Sequence, residues 1–272
     1  MSIINTLNTP LVSVDWLNAN SNTANLIIFD ATINKVITDS SERILNARFF
    51  DIKKKFSDIT NPFPSALPSA DQFQREARNL GVNNDSIIVV YDDKGIYSSA
   101  RVWWLFKVFG YTNVAVLDGG LPEWKRNGLK TNTYIEETFS KGNFKSNFNL
   151  GLMTDFNGIN TFSKNSDKLI IDARSVARFK CLVDEPREGL RRGTIPNSKN
   201  LPYTHLFNGN LMKSKAELSV IFNNLVKDKV ELVFSCGSGI TACVLALGAT
   251  LCGFNNLIVY DGSWTEYGTL TN

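Results

Sequence analysis

The chain has a single histidine, His205, among 272 residues. Any mechanism that pairs a cysteine or serine with an imidazole must use that residue or do without one. His205 follows Leu201-Pro202-Tyr203-Thr204, in a loop or helix start, and reads as structural or surface. Cysteine is also scarce. Cys181, Cys236, Cys243 and Cys252 form no C-x-x-C pair, which argues against a zinc site. Four cysteines are too few for a disulfide framework in a chain this long, so reduced thiols in a cytoplasmic protein are expected. Charge of one sign is lacking too. The net charge is +3, and the longest basic cluster, Lys53-Lys54-Lys55, reads as a solvated loop. Neither supports binding to nucleic acid or to an anionic membrane. No apolar run approaches the roughly 18–20 residues of a spanning helix. Residues 1–20 hold no apolar core behind basic residues and no Arg-rich pattern, so no targeting signal is expected.

What is present is a globular composition, 43% hydrophobic and 20% charged, enough for a sizeable core. The chain also repeats itself. Leu26-Ile27-Ile28-Phe29-Asp30-Ala31 resembles Leu169-Ile170-Ile171-Asp172-Ala173-Arg174, Ile87–Tyr91 parallels Glu231–Ser235, and Val114–Gly119 parallels Leu257–Gly262. The offset is 142 from Asp30 to Asp172, and 143 both from Gly110 to Gly253 and from Asp118 to Asp261. Two homologous domains follow: residues 1–130 and 153–272, with the polar, weakly periodic stretch 131–152 as linker. Short β-branched runs such as Ile87–Tyr91 suit buried parallel strands. The longer runs Ser98–Phe109 and Thr241–Cys252 each stop at a glycine, a helix C-cap signal. The expected fold class is α/β, each domain a mainly parallel sheet flanked by helices.

The main functional signal is Phe234-Ser235-Cys236-Gly237-Ser238-Gly239-Ile240-Thr241-Ala242, between a strand and a helix. Ligands of open α/β sheets bind beyond the carboxyl ends of strands. The glycines let the backbone curl so that successive N–H groups face inward at a helix N-terminus, a concavity for anions. A cysteine at its base would be favoured as thiolate, and a persulfide on that sulfur would be held by the same amides. Cys243 and Cys252 fall in the apolar helix and read as core packing.

Cys236-Gly237-Ser238-Gly239-Ile240-Thr241-Ala242-Cys243 resembles the active-site loop of the 3-mercaptopyruvate sulfurtransferases in the rhodanese superfamily. The likeness extends over most of the chain. It includes Tyr97–Trp104 and Leu117-Asp118-Gly119-Gly120 in the first half, and Asp172-Ala173-Arg174, Glu185–Gly189, Gly193–Pro196 and Tyr260–Trp264 in the second. The resemblance implies two tandem rhodanese-like domains, the first inactive and the second catalytic. On the 143 offset, Asp93 stands where the second half has Cys236, and an aspartate cannot form a persulfide.

The resemblance further implies that Arg178 and Arg187 bind the substrate carboxylate, a task suited to guanidinium forks. Arg174, beside Asp172, reads as structural. Gly237, Ser238, Gly239, Ile240 and Thr241 would form the substrate-binding loop, with Ser238 contacting substrate and Thr241 hydrogen-bonding within the loop. In some members an Asp and a His of the first domain have been proposed to support the serine; those places fall near Lys53 and Ser65, and neither can fill the role. Thr194 also stands where His is usual.

The implied reaction passes the sulfur of a small anionic donor, 3-mercaptopyruvate, through a Cys236 persulfide to cyanide or a thiol acceptor such as thioredoxin. It needs no cofactor or metal. A thiosulfate:cyanide sulfurtransferase is the alternative, though the residues after the cysteine, Gly237 and Ser238, are neutral. A non-catalytic rhodanese-like binding protein is another. A cysteine phosphatase would need arginine where Ala242 stands.

Overall fold

A computed structural model describes residues 6–38, 40–134, 137–165, 167–227 and 231–271. The described residues form two compact units. The first holds the chain to Asp58, Leu67–Phe148 and Gly209–Met212; the second holds Ile59–Ala66, Asn149–Asn208 and the chain from Lys213 onward.

In the first unit the strands are β1 (Leu11–Val12), β2 (Leu26–Asp30), β3 (Arg48–Phe49), β4 (Ile87–Tyr91) and β5 (Val114–Leu117). All pairings among them are parallel, in the order β1-β5-β4-β2-β3. The second unit repeats this with β6 (Met153–Thr154), β7 (Lys168–Asp172), β8 (Ser198–Asn200), β9 (Glu231–Ser235) and β10 (Leu257–Tyr260), in the order β6-β10-β9-β7-β8. The central strand β4, Ile-Ile-Val-Val-Tyr, is buried along its whole length, as a strand covered on both faces must be.

The helices that follow the central strands are α3 (Ser99–Val108) and α8 (Ala242–Leu251), in the sequence order α1 (Val14–Asn20), α2 (Ala70–Asn79), α3, α4 (Gly120–Arg126), α5 (Phe156–Phe162), α6 (Val176–Phe179), α7 (Lys215–Val226), α8 and α9 (Ser263–Leu270). Residues 242–249 of α8 are all buried, because Ala-Cys-Val-Leu-Ala-Leu-Gly-Ala offers no polar face. Both helices end as their glycines predict, with Gly110 and Gly253 left-handed at φ +82° and +88°.

Of the stretch 131–152 read as a linker, the residues up to Phe148 belong to the first unit and those from Asn149 to the second. Thr131–Thr133 pairs antiparallel with Glu42–Ile44, and Phe144 is buried edge-on against Phe73, Phe106 and Tyr111. Its attachments mix backbone bonds, such as the Phe144 N–H to the Val82 carbonyl at 3.1 Å, with side-chain bonds, such as the Asn143 N–H to the Asn83 Oδ1 at 2.9 Å, and neither kind leaves a periodicity in the sequence.

Strand register also corrects the counterpart of Cys236. Asp30 pairs with Tyr91 and Asp172 with Ser235, so Tyr91 matches Ser235 and the next residue, Asp92, matches Cys236. Downstream, the N–H of Leu121 reaches the Asp92 carbonyl just as that of Trp264 reaches the Cys236 carbonyl, both at 3.0 Å. The loop of residues 92–98 is one residue longer than that of residues 236–241, which is why the constant offset pointed to Asp93. Among the described residues no helix is long and apolar enough to cross a membrane.

Candidate active site

β9 delivers Cys236 at the carboxyl end of the central strand of the second sheet, and α8 carries the chain away after Thr241. Cys236 is buried, at 2% exposure. The carbonyls of the loop are held from outside. Trp264 donates to Cys236, and Thr265 donates to Gly237 through its N–H at 3.0 Å and its hydroxyl at 2.5 Å. Gly239 turns the loop at φ +75°, a conformation that costs a side-chain-bearing residue about 1–2 kcal/mol. Among the described residues, none accepts a hydrogen bond from the N–H of Gly237, Ser238, Ile240 or Thr241.

The first unit shows what such a cradle holds. The Oδ2 of Asp92 accepts the N–H of Tyr97, Ser98 and Ser99 at 2.8–3.0 Å and the Ser99 hydroxyl at 2.7 Å; Oδ1 accepts the N–H of Lys94 at 2.9 Å. Counting back from the helices, Tyr97, Ser98 and Ser99 match Ile240, Thr241 and Ala242. The amide array is thus filled by a covalently attached carboxylate in one half. In the other half the matching backbone follows a cysteine, and the N–H groups of Ile240 and Thr241 have no acceptor among the described residues.

One residue of this site escaped the sequence reading. Ser263, fully buried at the start of α9, accepts the N–H of Cys236 and of Gly239, both at 3.1 Å. Its own proton faces the Tyr260 carbonyl at 2.9 Å and the Cys236 Sγ at 3.8 Å, two acceptors competing for one hydrogen. Ser263 does this at φ +51°, where its first-half match, Gly120, sits at +54°. A serine standing where the repeat has a left-handed glycine was the available signal: a strained position held by a polar group marks a hydrogen-bonding role. Thr241, expected to bond within the loop, makes no side-chain cap bond to α8; Ser263 ties the loop instead.

Arg178 lies on α6, which Ser175 caps. Its guanidinium passes close over the loop: a Cβ on Gly237 would stand 2.9 Å from the Arg178 Nη2. Arg178 is not free. It pairs with Glu185, whose buried carboxylate also binds Arg174 at 2.8 Å. Arg174 in turn grips Asp172 at 2.7 Å and lies over the Trp264 ring, which bears out its structural reading. Glu185 therefore fixes the Arg178 fork, and stripping a buried carboxylate of its partners costs about 3–5 kcal/mol. Arg187 is exposed and has no ion-pair partner among the described residues. Partial desolvation, and then the neighbouring Arg178, hold its pKa below the ordinary value, with Glu185 opposing. The two arginines thus repel each other, with Glu185 as the opposing charge, and Arg178 lies against Gly237 of the cysteine loop.

The remaining expectations sort simply. Ser238 is half-exposed on the loop, and Ile240 is buried beneath it. Cys243 is buried with its thiol on the Gly239 carbonyl at 3.3 Å, a core residue as read. His205 is exposed in the 3-10 turn Tyr203–Leu206. Ser65, like Ile59–Ala66 generally, packs with the second unit although it precedes α2 in sequence.

A doubled five-stranded parallel sheet, with a cysteine at the base of an amide-lined loop in one copy only, defines a rhodanese-type protein. The Rhodanese-like domain model matches residues 13–127 and 160–269, and the chain belongs to that family as a tandem of two such domains. It is 37% identical to the 3-mercaptopyruvate sulfurtransferase of Escherichia coli (strain K12), over 94% of each chain. It is also 37% identical to the Thiosulfate/3-mercaptopyruvate sulfurtransferase 1, mitochondrial, of Arabidopsis thaliana, covering 96% of this chain and 76% of that one. The crystal structure of SseA from Escherichia coli matches 94% of this chain and 99% of its own, with a TM-score of 0.82 and 34% identity.

Proposed function

We propose that this enzyme is a sulfurtransferase that takes the sulfur of 3-mercaptopyruvate onto Cys236 and passes it to a thiol. The Cys236 thiolate attacks the donor sulfur while Arg178 and Arg187 hold the donor carboxylate. The donor C–S bond breaks with its electron pair going to carbon, and the resulting enolate takes up the proton the donor thiol gives up. Pyruvate leaves, and Cys236 carries an outer sulfur as the persulfide anion. An acceptor thiolate then attacks that outer sulfur, becomes a persulfide itself, and returns Cys236 to the thiolate: two half-reactions of covalent catalysis.

The observation that carries this reading is the amide cradle. In the first half it is filled by the Asp92 carboxylate; in the second, the matching loop follows Cys236, and its Ile240 and Thr241 N–H groups, without an acceptor among the described residues, support a role in holding a sulfur anion. Ser263 adds a hydroxyl directed at the Cys236 sulfur. The names of the similar proteins support the donor. The neutral Gly237 and Ser238 favour a monoanionic carboxylate over doubly charged thiosulfate. Thioredoxin is a suitable dithiol acceptor, and four free cysteines suit a reducing, cytoplasmic setting.

The test is pyruvate release from 3-mercaptopyruvate with dithiothreitol or thioredoxin as acceptor, beside thiosulfate with cyanide. Turnover of mercaptopyruvate should be the faster and should fall by at least ~10³-fold in Cys236→Ser. Retained turnover in that variant would sink the nucleophile assignment, and faster use of thiosulfate would sink the donor assignment.

A further inference from the structure

The first unit, which lacks the cysteine, carries a cavity of about 370 Å³, within the size range of small-molecule sites. Its lining sets Arg43, Arg48 and Lys55 against the carboxylate of Glu137, between the rings of Phe49, Tyr134 and Phe139. We propose that this cavity is a binding site for a small organic anion with a planar apolar body, an aryl phosphate or aryl carboxylate in chemical class.

The charge argument begins with what is already paired. Lys35 binds Asp30 at 2.7 Å, and the Tyr134 hydroxyl donates to the same carboxylate at 2.6 Å. Arg43, almost fully buried, forks onto Glu137 and donates to the Ala47 carbonyl. Its Nε, also buried, has no partner among the described groups. Arg48 and Lys55 are different: among the described residues, neither has a carboxylate at ion-pairing distance. Arg48 is half-buried, and among the described residues its donors meet the Leu80 carbonyl alone. Burial holds its pKa below the ordinary value, with Glu137 partly opposing. A half-desolvated guanidinium whose neighbouring carboxylate, Glu137, is already forked by Arg43, a lysine at the rim and a buried N–H with no partner among the described groups form a receptor for negative charge.

The walls specify the rest of the ligand. The Arg48 guanidinium stacks on the Phe139 ring at 4.3 Å, while Phe49 and Tyr134 meet edge to face with ring centres 6.5 Å apart. Flat aromatic surfaces beside a stacked guanidinium select a planar body over a bare inorganic ion.

The experiment is isothermal titration calorimetry of the full chain with phenyl phosphate at low salt, with inorganic phosphate and benzyl alcohol as charge-only and ring-only probes. It is repeated in an Arg187→Met background to remove binding at the second unit. Phenyl phosphate should bind more tightly than either partial probe and survive Arg187→Met. Affinity should weaken by about tenfold in Arg48→Met. Lys55→Glu, at an exposed side chain that leaves the fold intact, should weaken it as well, and both variants should keep mercaptopyruvate turnover. No measurable binding at millimolar phenyl phosphate would overturn the proposal. So would equal affinity in both variants, or binding lost only with Arg187→Met.

Discussion

At the end of the central strand of its sheet, the first half places Asp92 and the second places Cys236; facing them stand Gly120 and Ser263. The strand order and the helix that follows are the same in both halves. The difference lies in who occupies the amide cradle. In the first half the occupant is part of the chain, and the longer loop wraps around it. A side chain at Gly120 would strike the Asp92 and Gly95 carbonyls at 2.5 Å, so that loop excludes a serine. In the second half the loop is shorter, and Ser263 takes a left-handed backbone, holds the loop and approaches the sulfur. An anion hole becomes a structural knot when its anion is built in, and a candidate catalytic site when the anion is exchanged for a thiol.

This comparison can be broken at several points. Asp92→Ala carries the largest expected effect on stability. It removes the acceptor of four N–H groups, of which those of Ser98 and Ser99 are buried and cost about 1–3 kcal/mol each before relaxation, so a loss of roughly 3 kcal/mol is expected in thermal or urea unfolding, with mercaptopyruvate turnover per folded molecule retained. Asp93→Ala should be nearly silent in the same assay, whereas a larger loss there would restore the counterpart that constant offset suggested.

Ser263→Gly copies the first half into the second. It relieves about 1 kcal/mol of backbone strain but leaves the Cys236 and Gly239 amides without an acceptor. A fall in kcat/KM of roughly tenfold is expected, with slower iodoacetamide labelling of Cys236. Unchanged kinetics and labelling would reduce Ser263 to a packing residue.

Arg187→Met probes the substrate side. Removing one uncompensated guanidinium should raise KM for 3-mercaptopyruvate by about tenfold and leave kcat and melting temperature nearly unchanged. A drop in kcat alone would show that Arg187 acts on the transition state and not on binding.

The smallest effect is expected at Asp118, in the repeated Asp-Gly that precedes these facing positions. Burial raises its carboxyl to about 6, with the Met212 N–H partly opposing. Because the folded pKa exceeds the unfolded one, the folded state binds the proton more tightly. Stability from this group is therefore present at low pH, falls as pH rises from about 4 to about 6, and stays lower above that. Asp118→Asn should gain on the order of 1 kcal/mol at pH 8, after discounting for solvent screening, and nothing at pH 4. Melting curves at the two pH values decide it.

The doubling of the chain, the α/β class, the cysteine loop and the structural role of Arg174 were all legible in the residues. Each rests on local pattern: β-branched runs, glycines where helices stop, and a Cys-Gly-x-Gly turn between strand and helix. Tertiary structure decided what depends on register and on distant partners. One extra loop residue moved the counterpart of Cys236 from Asp93 to Asp92, which only strand pairing reveals. Glu185 was found to restrain Arg178, and Ser263 to replace Thr241 as the tie of the loop, because contacts across 7 to 27 residues follow from how strands and helices pack and leave no mark in spacing. Sequence by itself determined which chemical groups the chain owns and what elements carry them; packing determined which of those groups face one another, since hydrogen bonds and ion pairs depend on ångströms that the order of residues does not encode.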